Sequence, residues 1–196
     1  MLKLAFRFLV GPLVCFVSFA GVVHGVRAST AQNLYYAARY GSLKDNTECI
    51  LQTCEKAYKL YPWNYLFCSV ATDSAFVKAD NTLDAALRSR LLTTAGKWCD
   101  YGLVLNPYNR DLNLRKAGLI GAGGGNATKA AAHWARYTDW HYWNPVNHCI
   151  LGRMYAWAGE FEKAEVCASL IEWSAYHKSL REAIDKEREK RNKPPF

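Results

Sequence analysis

The chain has 196 residues, of which 51% are hydrophobic and 14% are aromatic, and its formal net charge is +8. This length suits one domain of ordinary size, and the aromatic content excludes a disordered chain. The basic residues are spread out without a block of five or more, which argues against a nucleic-acid-binding protein.

The N-terminus combines basic residues with a long apolar segment. Lys3 and Arg7 precede a charge-free run from Phe8 to Val23. As a helix this run rises ~24 Å, slightly less than a ~30 Å hydrocarbon core, whereas the wider stretch from Leu4 to Val26 is long enough to span it. The segment predicts an uncleaved signal-anchor. The alternative is a signal peptide with its cleavage site at residues 26–28.

Either alternative places the rest of the chain outside the cytoplasm, because basic residues that precede a span stay on the cytoplasmic side. We expect a single-pass membrane protein with an extracytoplasmic C-terminal domain, which would be periplasmic in a bacterium. If the segment is removed, the protein is secreted or periplasmic.

Helical patterns separated by turn-forming residues fill the remainder of the chain, and no segment alternates with the period of a strand. Ser29 and Thr30 are expected to cap the first helix after the apolar segment. The last helix is charged all round, which predicts a solvated helix. The expected helices cover residues 30–40, 48–61, 63–78, 82–105, 108–120, 127–142, 146–158, 160–175 and 180–191. The sequence therefore predicts an all-α fold.

The stretch from Asn144 to Leu170 carries a recognisable repeat pattern. In order it contains Pro145, Leu151-Gly152, Tyr155, Gly159, Phe161 and Ala164. This pattern resembles a tetratricopeptide (TPR) repeat. Earlier parts of the chain keep only fragments of it, such as the related triplets Pro62-Trp63-Asn64, Pro107-Tyr108-Asn109 and Pro145-Val146-Asn147.

The resemblance implies an α-solenoid of about four helical hairpins, near residues 30–61, 63–105, 108–143 and 146–176, because one such hairpin cannot bury its apolar face alone. The predicted organisation has three parts: an anchor (1–28), the solenoid (29–177), and a charged capping helix with a tail (178–196). The capping helix would cover the apolar end of the last hairpin.

Six of the seven cysteines lie outside the apolar segment, in a domain predicted to be exported, where disulfides are permitted. Cys149 and Cys167 flank the expected turn of the fourth hairpin at similar distances, and Cys54 and Cys68 flank Pro62. Both pairs are candidate disulfides. The alternative is that these cysteines are buried thiols.

Two groups of residues are candidates for partner binding. The TPR resemblance implies a concave surface lined by the first helix of each hairpin, which would include Tyr65, Asn113, Arg115, Asn147 and Arg153. The second group is the densest aromatic cluster, with Trp134, Tyr137, Trp140, Tyr142 and Trp143. The first three recur at a spacing of three and are expected on one side of a helix. The cluster is either core between the third and fourth hairpins or part of a binding groove with Arg136 and His141 at its rim.

No catalytic, cofactor or metal site is expected. Cys149 and the adjacent His148 would point ~100° apart on a helix, so they do not face each other as nucleophile and base. The histidines include no i,i+4 pair of metal ligands, and the glycine-rich loop 121–126 lacks the Gly-Lys-Ser/Thr ending of a phosphate-binding loop.

The sequence predicts a membrane-anchored, extracytoplasmic, TPR-like scaffold that mediates protein–protein interaction or assembly of a membrane or envelope complex. One alternative is a fixed structural subunit of a large integral membrane complex of the respiratory, photosynthetic or polysaccharide-export kind. Gly21 and Gly25 would then allow close packing of the transmembrane helix. The other alternative is a glycan-acting envelope enzyme with its site in the aromatic groove.

Overall fold

The structure, a computed structural model, describes residues 2–41, 43, 46–122 and 125–192. This part of the chain contains nine α-helices and no strand. The helices are α1 (Leu2–Tyr40), α2 (Thr47–Leu60), α3 (Tyr65–Asp80), α4 (Ala85–Leu105), α5 (Arg110–Ala122), α6 (Ala127–Trp140), α7 (Pro145–Ala158), α8 (Phe161–Ser169) and α9 (His177–Asn192). The predicted all-α fold is confirmed.

Consecutive helices pack as four hairpins, α1 with α2, α3 with α4, α5 with α6 and α7 with α8, and each hairpin packs against the next. First helices of neighbouring hairpins also meet, α1 with α3 and α3 with α5, and α9 packs on α7 in the same way. This nearest-neighbour stacking is the architecture of a helical solenoid, as the sequence predicts.

Asparagine and aspartate side chains set the starts of most helices. Asn64 Oδ1 accepts a hydrogen bond from the Leu66 amide at 3.0 Å, and Asn109 Oδ1 accepts one from the Leu112 amide at 2.9 Å. Asp84 caps α4, so this helix begins after residues 82–84 rather than within them. Each cap satisfies backbone N–H groups that the first turn leaves without partners.

Helix α1 runs without a break from the apolar segment into the first hairpin. Thr30 does not cap a new helix, because its Oγ1 donates to the Val26 carbonyl at 2.9 Å inside a helix that is already formed. The stretch Val10–Tyr40 of α1 is long and apolar enough to span a membrane. An 18-residue segment of it has a mean hydropathy of 1.5 and contains no buried residue. A signal sequence shares this property.

Contact between α1 and the solenoid begins at His24. The His24 ring lies 5.4 Å from the Tyr61 ring, and Arg27 Nη2 donates to the Lys59 carbonyl at 3.4 Å. Farther along, Ala31 and Ala38 are buried. The side chains from Gly11 to Val23 are exposed, so this part of α1 projects from the solenoid.

The charged C-terminal helix, predicted as a solvated cap over the last hairpin, also contributes two apolar side chains to the core. Leu180 and Ile184 of α9 are fully buried in the largest hydrophobic cluster. A Cβ placed on Gly152 would lie 2.8 Å from Leu180 Cδ2 and 3.1 Å from Cys167 Cβ, so α7, α8 and α9 meet at this glycine. On the outer side of α9, Arg181 and Arg188 both donate to Glu165 of α8.

The solenoid has two edges, defined by its turns. The turns between hairpins (61–64, 106–109, 141–144 and 170–176) lie at one edge, and the turns within hairpins lie at the other. At the first edge, the Tyr108 and Trp140 rings pack at a tilt with their centroids 4.7 Å apart, and Arg110 Nε donates to Asn147 Oδ1 at 3.4 Å. At the second edge, Arg191 Nη2 donates to the Trp157 carbonyl at 2.9 Å.

Candidate partner-binding surface

The first helices share a face on which Asp73 links three hairpins. Asp73 Oδ1 accepts a hydrogen bond from Arg115 Nε at 2.6 Å, and Asp73 Oδ2 lies 3.8 Å from Arg39 Nη1. The Arg115 guanidinium also lies over the Phe76 ring, 5.2 Å from its centroid. These groups are half-buried, so the ion pairs position the arginines more than they stabilise the fold.

Basic side chains continue along this face toward the C-terminus. Arg110 of α5 contacts Asn147 of α7, and Arg153 Nη2 of α7 donates to Ser179 Oγ of α9 at 2.6 Å. We name Arg39, Arg110, Arg115 and Arg153 the arginine row. The carboxylates in ion-pair contact with the row are Asp73 and, at 3.7 Å from Arg110, Asp111. Four guanidinium groups beside two carboxylates make this face electropositive.

Four of the residues predicted to bind partners are buried. The exposed fractions are 6% for Asn113, 0% for Trp134, 6% for Tyr137 and 1% for Asn147. Asn113 Nδ2 donates to the backbone carbonyls of Pro107 and Asn109, each at 2.8 Å, and Trp134 Nε1 donates to the Asn147 carbonyl at 3.1 Å. Burying Trp134 leaves its N–H satisfied, as a core tryptophan requires.

The other predicted residues remain at the surface. Tyr65 and Arg115 are half-buried and Arg153 is exposed, all on first helices. Trp140 and Trp143 are 61% and 80% exposed, at the edge formed by the turns between hairpins. The aromatic cluster is therefore split: its N-terminal half is core between hairpins, and its C-terminal half is surface.

A surface pocket of about 360 Å³ lies beside this exposed half. It is lined by Leu103, Pro107, Tyr108, Asn113, His133, Arg136, Tyr137 and Trp140. Burial, and then the positive charge of Arg136, lower the pKa of His133. The His141 ring packs at a tilt against the Tyr137 ring, with the centroids 4.9 Å apart. The pocket thus offers aromatic contact surface with a neutral imidazole and one guanidinium.

All seven cysteines are free thiols in the structure, so neither Cys149–Cys167 nor Cys54–Cys68 is bonded here. Cys149 Sγ lies 4.0 Å from the Tyr176 carbonyl, whereas Cys167 packs against Gly152, nearly a turn farther along α7. Burial raises the pKa of Cys54 and Cys68 to about 12, and that of Cys167 to about 11.

His148 Nε2 donates to the Tyr142 carbonyl, which ties the ring to the turn before α7 rather than to Cys149. In the described ranges, no group of three or more His, Cys, Asp or Glu side chains is placed to hold a metal ion.

Three residues that sequence analysis missed belong to this surface: Arg39, Asp73 and Arg110. They are far apart in the chain, and each looks like an ordinary charge on an amphipathic helix. The sequence places all three on the first helices of hairpins. Which of them are neighbours depends on how the hairpins stack, and the sequence does not show this.

Of three comparisons with known proteins, the one with solved structures finds a similar architecture. No protein-family model matches the chain, and no curated protein matches it in sequence. Among solved structures, the chain is similar to TTC0263, a thermophilic TPR protein in Thermus thermophilus. The TM-score is 0.62 and the identity 16%, over 80% of each chain. At this identity the likeness shows the fold alone, and the chain is a TPR-like α-solenoid.

Proposed function

We propose that the chain is a membrane-anchored scaffold whose TPR-like solenoid lies outside the cytoplasm and binds a partner protein. The observation that carries the proposal is the continuity of α1. This helix is long and apolar enough to span a membrane, and its C-terminal part is the first helix of the first hairpin. A partner held by the solenoid would therefore be held at a set distance from the membrane.

The arginine row is the surface that this scaffold offers to its partner. Arg39, Arg115 and Arg153 come from three different hairpins, so one extended segment of partner would touch several of them. Guanidinium groups bind carboxylates through paired hydrogen bonds, which favours an acidic partner segment. The net charge of +8 would speed the encounter with such a partner at low salt.

Crosslinking with matched charge reversals tests this surface. Arg153→Glu lies on the arginine row, and Lys97→Glu makes the same change in net charge on an exposed position of α4, a second helix. A crosslinkable residue is placed at Tyr65, and the captured protein is identified by mass spectrometry. Arg153→Glu should reduce recovery of the partner, and Lys97→Glu should not. Equal recovery from both variants would contradict the assignment of the surface.

Membrane attachment is tested separately by alkaline carbonate extraction of membranes, followed by protease treatment of sealed vesicles of known orientation. We expect the chain to remain in the membrane pellet and the solenoid to be digested only from the extracytoplasmic side. Release of the chain by carbonate would contradict the proposed membrane anchor.

A second candidate function is a fixed subunit of a membrane complex. A Cβ added at Gly21 or Gly25 would meet no described atom within 4 Å, so this face of α1 is open to another transmembrane helix. Blue-native electrophoresis of solubilised membranes distinguishes the two candidates. A complex of constant size that is lost in Gly21→Ile/Gly25→Ile favours the subunit, whereas a free chain with transient crosslinks favours the scaffold.

A further inference from the structure

Every turn between hairpins lies at the edge of the solenoid from which the apolar segment of α1 projects. The first of these turns follows α2, whose end contacts α1 at His24 and Arg27. Because the helices alternate in direction, each later turn of this kind returns to the same edge. A span that ends between Val23 and Val26 places the membrane surface beside the first turn, where His24 and Arg27 contact the end of α2.

Each of these four turns presents an exposed aromatic side chain. The exposed fractions are 74% for Trp63, 51% for Tyr108, 80% for Trp143 and 75% for Trp173. Trp140, Tyr142 and Tyr176 at the same edge are also exposed. We name this set the aromatic edge. Large exposed aromatic groups on a soluble surface usually mark a contact.

The opposite edge provides an internal comparison. The turns within hairpins, at residues 41–46, 81–84, 123–126 and 159–160, contain no aromatic residue and consist largely of Gly, Asn, Asp and other polar residues. Ordinary turn chemistry therefore does not require tryptophan or tyrosine in this fold. Tyr36, Tyr40 and Trp157 are exposed near this opposite edge, but they belong to helices and not to the turns. The contrast between the two sets of turns follows the position of the membrane-spanning candidate.

We propose that the aromatic edge lies in the headgroup layer of the leaflet from which α1 emerges, so that the solenoid rests on the membrane along its length. The proposal builds on the anchor proposed above. Trp and Tyr are enriched at membrane–water interfaces because their rings are apolar and their N–H or O–H groups remain in contact with water. Continuity with the span identifies lipid, rather than a second protein, as the occupant.

Two of the basic side chains near this edge are paired within the protein: Lys59 lies 2.6 Å from Glu55, and Arg110 lies 3.7 Å from Asp111. Lys178, at the start of α9, is exposed and can approach lipid headgroups. Attachment of the edge to a neutral bilayer should therefore depend on aromatic insertion, whereas salt should weaken only the contribution of Lys178 on anionic lipid.

Tryptophan fluorescence in vesicles tests the proposal on the full chain. The first tryptophan is Trp63, so none of the signal comes from the apolar segment itself. The chain is reconstituted into phosphatidylcholine vesicles that contain a headgroup nitroxide lipid, and quenching is compared with that in vesicles without nitroxide. We expect strong quenching that persists at high salt.

The edge variant is Trp63→Ser/Trp143→Ser/Trp173→Ser, and the matched control is Trp157→Ser, a half-exposed tryptophan near the opposite edge. The edge variant should lose most of the quenching, and the control should keep it. The three edge side chains are at least 74% exposed, so the unfolding curve of the edge variant by circular dichroism should change little. Trp157 packs against Gly121 of α5, so its variant is compared under conditions where circular dichroism shows it folded.

Vesicle flotation in the same samples separates the two proposals. If the chain floats but its tryptophans are not quenched, or if the edge variant is quenched like wild type, the edge proposal is wrong and the anchor stands. If the chain does not float, the anchor fails and the edge proposal fails with it. If quenching is absent and the edge variant instead converts a detergent-solubilised dimer to a monomer, the edge is an interface between copies.

Discussion

Gly152 marks the closest approach of helices in the last hairpin. A Cβ at this position would meet Leu180 Cδ2 at 2.8 Å, and Leu180 is fully buried, so its side chain can move only within the packed core. Gly96 in the middle of α4 is the opposite case, because an added Cβ there would meet nothing described within 4 Å. The two glycines should therefore respond to substitution in opposite directions.

Gly152→Val should lower the free energy of unfolding by about 1–3 kcal/mol, because overpacking displaces Leu180. Gly96→Ala should raise it by roughly 0.5–1 kcal/mol, because alanine is the better helix former. Urea denaturation followed by circular dichroism measures both. A Gly152→Val protein as stable as wild type would show that α7 and α9 are not packed at this point.

The prediction that Trp134, Tyr137 and Trp140 lie on one side of α6 was wrong for Trp140. A spacing of three residues advances a helix by ~300°, so each step drifts by ~60° and two steps by ~120°. Trp134 is consequently fully buried while Trp140 is 61% exposed, although the pattern predicted them on one side. The repeat residues Gly152 and Ala164 were correctly identified, because close helix approach demands small residues at those positions.

At the scale of elements, the capping residues predicted most helix starts correctly. The prediction failed where the preceding residues were already helical. Asn64 and Asn109 follow proline and begin helices. Thr30 is an equally good capping residue, but the helix is already formed at Val26, and its hydroxyl bonds backward instead. In α9, the many charged residues led to the prediction of a solvated helix. Leu180 and Ile184, four residues apart, nevertheless face the core.

Helix α9 closes the solenoid through this pair. Ile184→Ala should lower the free energy of unfolding by about 2–5 kcal/mol, because it opens a cavity in the largest cluster. Lys186→Ala, on the exposed side of the same helix, should change it by less than about 0.5 kcal/mol. Thermal unfolding distinguishes them. If both variants changed the free energy of unfolding by the same small amount, Ile184 would not be packed in the core.

At the scale of the whole molecule, four buried thiols make stability depend on pH. They are Cys54, Cys68, Cys99 and Cys167, which come from three of the four hairpins. Burial raises the pKa of the first three to about 12 and of the fourth to about 11, from an ordinary 9.0. Above pH 9 the unfolded chain loses thiol protons that the folded chain keeps.

The thiol contribution to stability should be fully present below pH 9.0 and decline as the pH rises toward 11 and 12. Each thiol adds a slope of up to about 1.4 kcal/mol per pH unit. Urea denaturation from pH 8 to 10.5 measures the decline. Cys68→Ala is the matched variant: it should be less stable at pH 8 but lose stability less steeply. Parallel slopes would contradict the burial of this thiol.

The continuity of α1 also bears on the order in which the molecule folds. A segment inserted in a bilayer must satisfy its backbone hydrogen bonds as a helix, which supplies the costly nucleus before the rest of the chain is in place. Residues 24–40 then only extend that helix by one bond per residue. Each hairpin of a solenoid gains stability chiefly from its neighbour. With the proposed anchor in a bilayer, we therefore expect the hairpins to fold outward from the membrane, with the inserted helix as the template for the first.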